Sequence, residues 1–131
     1  MVPQNRRNLL EARYPKWEVL TISGRLDRAA ECWADRPLII TDARTWNYGE
    51  VQAWSRQIAS GLIAHGLKAG DHVALNMANY PEFTAIKFAI ARAGAVCIPV
   101  NFLLRGQELA YVLDQSDAAM LITMEEFRGH D

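Results

Sequence analysis

The sequence predicts an α/β fold in which a mostly parallel sheet carries helices on both faces. Two observations lead there. Strand-length apolar runs at 72–77, 95–100 and 119–123 alternate with stretches of helical period, and strands joined through helices pair in parallel with right-handed crossovers. Glycine and proline punctuate the boundaries: Gly66, Gly70 and Gly94 follow helices or sit in turns, and Pro37, Pro81 and Pro99 stand at strand or helix edges.

Taken in order, residues 1–20 show no clear period and contain Pro3 and Pro15, so residues 1–22 are expected to form a leader packed on a larger body. From Ser23, residues Leu26, Ala29, Ala30 and Trp33 recur at helical spacing while Arg25, Asp27, Arg28 and Glu31 fill the other face, which predicts an amphipathic helix ending near Asp35. Residues 38–41 and 45–46 read as a miniature hairpin around Asp42, Ala43 and Arg44. Asn47 and Glu50 have the spacing of a capping box, so a helix follows with Val51, Trp54, Ile58 and Leu62 on its inner face. His65 falls in its last turn and Gly66 takes the left-handed position after it. Residues 68–71 form a turn and 72–77 a buried strand. Pro81 opens a helix that is apolar nearly all round over 83–93 and that Gly94 stops, so it is expected to lie under other elements. A strand at 95–100, an irregular stretch, a short helix with Leu109, Val112 and Leu113 inward and a strand at 119–123 complete the order. A further helix is expected to begin at Met124.

Composition excludes several classes. The chain has 131 residues, half of them hydrophobic, with 14 Lys+Arg against 15 Asp+Glu. A chain of this size hides roughly two thirds of its unfolded surface, so it needs neither disulfide nor structural metal. Cys32 and Cys97 lack C-x-x-C spacing, and His65, His72 and His130 stand apart; the cysteines are expected to be buried thiols in a cytoplasmic protein. The net charge of −1, with basic residues concentrated only near the N-terminus, gives no face for nucleic acid. No apolar run approaches the roughly 20 residues of a membrane span, and residues 1–20 are not expected to act as a secretory leader.

The loops after the carboxyl ends of strands are where open parallel sheets bind ligands. After the strand at 72–77 the chain reads Ala78, Asn79, Tyr80, Pro81, and after 95–100 it reads Asn101, Phe102, Leu103, Leu104, Arg105, Gly106; neither holds a glycine-rich phosphate loop. Single residues have structural readings. Asn79 is expected to cap the helix at Pro81, Glu82 to stabilise that helix start through the dipole, and Arg92 to be a salt-bridged or capping residue. Trp46 and Tyr48 read as core aromatics. Asp71 and His72 are adjacent on a strand and point to opposite faces, so they do not form a catalytic pair. Ser116 lacks a glycine elbow.

Six short phrases in a fixed order carry a resemblance. Arg36-Pro37 before a strand is followed by Thr45-Trp46-Asn47-Tyr48-Gly49-Glu50-Val51, His65-Gly66-Leu67-Lys68-Ala69-Gly70-Asp71-His72-Val73-Ala74 and Asn79-Tyr80-Pro81-Glu82-Phe83. Then come Ala93-Gly94-Ala95-Val96-Cys97-Ile98-Pro99-Val100-Asn101 and Glu108-Leu109-Ala110-Tyr111-Val112-Leu113. Together, over about 36–123, they resemble the N-terminal part of adenylate-forming acyl-CoA synthetases. The resemblance implies that residues 23–131 are a partial N-terminal α/β subdomain of an enzyme that joins a carboxylate, fatty or other acyl acid, to ATP with Mg²⁺ and passes the acyl group to coenzyme A. The family's Ser/Thr/Gly-rich phosphate loop, its ribose-binding Asp and its C-terminal catalytic Lys match no stretch here. No catalytic, cofactor-binding or metal-binding residue is therefore assigned, and the fragment alone is expected to be inactive and to bind none of these cofactors. Leu103 stands where the family often has Arg or Lys, with Arg105 two positions on, and Arg105-Gly106 stands where a Ser or Thr often caps the next helix. Cys97 is expected to be inert. A fragment of this kind is expected to self-associate through surfaces the rest of the enzyme would cover. The alternative is a stand-alone α/β binding module that kept the fold without the catalysis; a flavodoxin-like or receiver-type domain would need a phosphate loop or acidic cluster, and neither appears.

Overall fold

The computed structural model describes residues 3–14 and 20–126. Five helices and five strands run in the order α1 (Pro3–Arg13), α2 (Ile22–Trp33), β1 (Pro37–Ile40), β2 (Thr45–Asn47), α3 (Tyr48–Ala64), β3 (His72–Asn76), α4 (Pro81–Arg92), β4 (Val96–Pro99), α5 (Gly106–Gln115) and β5 (Ala118–Thr123). Strands β3, β4 and β5 form a parallel sheet in the order β4-β3-β5, while β1 and β2 make a separate antiparallel hairpin.

Local signals set most boundaries. The Asn47 side chain accepts from the Glu50 N–H at 2.8 Å, and the Glu50 carboxylate accepts from the Asn47 N–H at 2.9 Å, a complete capping box. Pro81 sits in the first turn of α4, where its missing N–H costs nothing. Gly94 has φ +77, and its carbonyl accepts from the Gly70 N–H at 2.9 Å. A Cβ there would meet Ala69 Cβ at 3.2 Å, so both the backbone angle and the close approach call for glycine.

Helix α4 lies between the sheet and the helices α2 and α3. Its sheet side joins Ile90 to Val73 and Leu67, with Ile86, Cys97, Met120 and Ile122 around them. Its other side meets α3 through small residues: Val51, Ser55 and Ala59 of α3 are buried, as are Ala85 and Ala89 of α4. Small side chains let two helix axes approach, which is why the buried stripe of α3 runs through Ser55 and Ala59 and leaves the expected Trp54 and Ile58 half-buried. The cover that the apolar 83–93 stretch requires is supplied by α2 and α3 of the same chain. The second sheet face is more open: Ala74 is buried at its centre, but Val96 and Leu121 on the edge strands are 46% and 40% exposed.

Three expectations change. Residues 3–13, which show no apolar period, form helix α1, and every side chain from Arg6 to Tyr14 is exposed; a helix without an apolar stripe has no core to face and leaves no periodic signal. Cys32 is exposed on α2, whereas Cys97 is half-buried, and both are free thiols. Residues 124–126 are not helical, and the remainder of the helix expected from Met124 lies outside the described residues.

One carboxylate ties the helical layer together. Asp27 of α2 takes a bidentate pair from Arg92 of α4, with Nη1 to Oδ2 at 2.9 Å and Nη2 to Oδ1 at 2.7 Å. Gln52 of α3 donates to Oδ1 at 2.9 Å, and the Arg56 guanidinium stands 3.5 Å away. The hydrogen bonds from Arg92 hold the Asp27 carboxyl at about 2, below its usual 3.8, with Gln52 and Arg56 adding to the effect against the opposing cost of burial. A lowered folded-state value means that the unfolded chain takes up the proton first. The resulting stability is complete above the unfolded value and lost as pH falls from about 4 toward 2. The Asp27 and Arg92 side chains are only 28% and 17% exposed, so Asp27→Asn leaves a largely buried guanidinium without its counter-charge. We expect urea unfolding at pH 7 to show a loss of about 2 kcal/mol for Asp27→Asn. We also expect its stability to fall less steeply than the wild type's between pH 4 and pH 2; parallel pH profiles would contradict the assignment.

Candidate functional site

The chain leaves β3 toward β4 on one side and then crosses to β5 on the other, so its connections diverge at the carboxyl end of β3, the place where such sheets open a crevice. Asn76 closes β3 there. It is 4% exposed, and its Oδ1 has no hydrogen-bond partner among the described residues. Nearby, the Ala78 N–H donates to the Met124 thioether sulfur at 3.4 Å, a weak acceptor. The loop then reaches α4, whose N-cap is Tyr80 with no side-chain cap.

Two clefts flank the start of α4. The smaller, about 230 Å³, lies between the hairpin and the β3–α4 loop and is lined by Ile39, Ile40, Thr41, Asn79, Tyr80 and Phe83, among others. The larger, about 540 Å³ and open to solvent, is walled by Arg44, Trp46, Glu50, Trp54, Gln57 and Glu82, with Ala53 at its side. Its aromatic wall is a stacked pair, Trp46 and Trp54, with centroids 6.4 Å apart and planes at 17°. The Arg44 guanidinium lies 4.9 Å from the Trp46 centroid and donates to the Glu50 carboxylate at 2.6 Å. The backbone N–H of Asn47 and the Arg44 guanidinium together hold Glu50 below the usual carboxylate range.

The residues singled out from sequence land as follows. Asn79 does not cap α4; the turn begins one residue later at Tyr80, and Asn79 lines the smaller cleft. Glu82 is exposed in the first turn of α4, at the edge of the larger cleft. Arg92 is salt-bridged to Asp27. Trp46, on β2, and Tyr48, at the start of α3, are half-buried and do not belong to the core. His72 and Asp71 are apart in function: His72 Nδ1 donates to the Ser116 carbonyl at 2.6 Å, while Asp71 accepts from the Lys68 N–H at 2.8 Å and closes the turn. The Ser116 hydroxyl donates to the Leu113 carbonyl at 3.2 Å. Burial raises the Cys97 thiol above its ordinary value, which keeps it protonated and unreactive. Asp27 and Asn76 were not singled out. Arg92 within an otherwise apolar helix was the available signal for Asp27, since a buried guanidinium needs a counter-charge; nothing in the period of β3 marks Asn76.

These groups can hold a ligand by stacking, charge and hydrogen bonds, but they do not assemble a nucleophile with a base. Among the described residues no three His, Cys, Asp or Glu side chains converge on a metal-sized site. No glycine-rich loop follows β3 or β4 to wrap a phosphate chain. Among the described residues these donors do not make a Mg²⁺ site.

Residues 26–131 match the AMP-binding enzyme family. The chain belongs to the AMP-binding enzyme family. A Bacillus subtilis (strain 168) protein provisionally named acyl-CoA synthetase YngI is 40% identical over 111 residues, covering 83% of this chain and 20% of that protein. The crotonobetaine/carnitine–CoA ligase of Salmonella paratyphi A is 31% identical over 106 residues, covering 77% of this chain and 20% of the ligase. Among solved structures, the Klebsiella oxytoca NpsA N-terminal subdomain in complex with anthranilyl-AMSN superposes with a TM-score of 0.79 at 26% identity, covering 86% of this chain and 30% of that one. The chain thus spans about a fifth of the length of the curated relatives it matches. Its α/β unit corresponds to part of the N-terminal region of adenylate-forming enzymes.

An unpaired buried acceptor costs free energy, whereas an apolar group of similar shape does not. Replacing Asn76 by Leu in this chain is expected to raise the free energy of unfolding by about 1 kcal/mol in urea titration. A loss of stability would show that the amide has a partner.

Proposed function

We propose that this chain is the N-terminal scaffold of an ATP-dependent, AMP-forming acid–CoA ligase that activates a carboxylic acid, fatty or other acyl, as an acyl-adenylate and transfers it to coenzyme A. The observation that carries this reading is the family match over residues 26–131, which covers all six ordered phrases. Relatives named as acyl-CoA synthetase and CoA ligase support an acid substrate and a thioester product. Within that enzyme the chain's own residues supply framework. The capping box fixes the start of α3, the Asp27–Arg92 pair sets α2 against α4, and α4 in turn presents the carboxyl end of β3. The groups that hold ATP, Mg²⁺ and coenzyme A belong to segments of the ligase other than these residues. No helix of the described residues is long and apolar enough to cross a membrane, and a cytoplasmic enzyme is in keeping with its free cysteines.

Two assays test this. The 131 residues alone are expected to give no acid-dependent ATP–pyrophosphate exchange. The complete product of the gene is expected to release AMP when supplied with ATP, Mg²⁺, coenzyme A and a panel of carboxylic acids. A gene whose reading frame lacks a Gly-rich loop ending in Pro-Lys-Gly, or a complete product inert toward every acid in the panel, would favour the stand-alone binding module instead.

A further inference from the structure

We draw no further inference here: the strongest candidate, the open cleft of about 540 Å³ walled by the Trp46–Trp54 stack beside the start of α4, belongs to the site already described, and nothing in the structure shows what covers it.

Discussion

The arrangement of helices rests on the ion pair between Asp27 and Arg92. Helix α4 is apolar over most of its surface and sits between the sheet and two other helices, so hydrophobic burial alone would hold it without fixing its rotation. Arg92 near its end removes that freedom. A guanidinium only 17% exposed must find a carboxylate, and the bidentate geometry offered by Asp27 accepts it in one orientation. Because Gln52 and Arg56 of α3 reach the same carboxylate, one side chain of α2 registers three helices at once. Part-buried pairs of this kind add little net stability relative to apolar packing, but they penalise every alternative packing that separates the partners.

From this registration the rest follows in layers. With α4 fixed, its small residues Ala85 and Ala89 oppose Ser55 and Ala59 of α3, while Ile86 and Ile90 face the sheet. In the sheet's central strand Val73, Ala74 and Leu75 are fully buried, while Val96 and Leu121 on the edge strands are 46% and 40% exposed. The start of α3 is tied to the segment after α2 by backbone hydrogen bonds, Tyr48 N–H to Arg36 O at 3.1 Å and Gly49 N–H to Ala34 O at 3.0 Å. The tryptophan stack between the hairpin and α3 forms the wall of the larger cleft beside α4.

The legible parts of this structure are those decided by neighbours in sequence. Asn47 with Glu50, Pro81, Gly66 and Gly94 act within one turn, and each marks its boundary without reference to the rest of the chain. Positions decided by distant partners were harder. Trp54 and Ile58 are large and apolar, yet the α3–α4 approach buries the smaller Ser55 and Ala59, a preference that only the opposing helix creates. Asp27 lies on the charged side of α2 by period, and its role depends on residues 25 and 65 positions away. The six phrases that carry the family resemblance hold the locally decided caps and turns, Asn47 with Glu50, Gly66, Pro81 and Gly94, in one order. The scaffold phrases named no catalytic residue, and the residues that surround the clefts form no reactive set.

On the proposed reading these residues build framework and bind neither ATP with Mg²⁺ nor coenzyme A. Isothermal titration of the 131-residue chain with ATP and Mg²⁺, and separately with coenzyme A, tests it most directly. No saturable heat is expected for either cofactor while the chain remains folded by circular dichroism. Saturable, stoichiometric binding of either would place a cofactor site within these residues and contradict it.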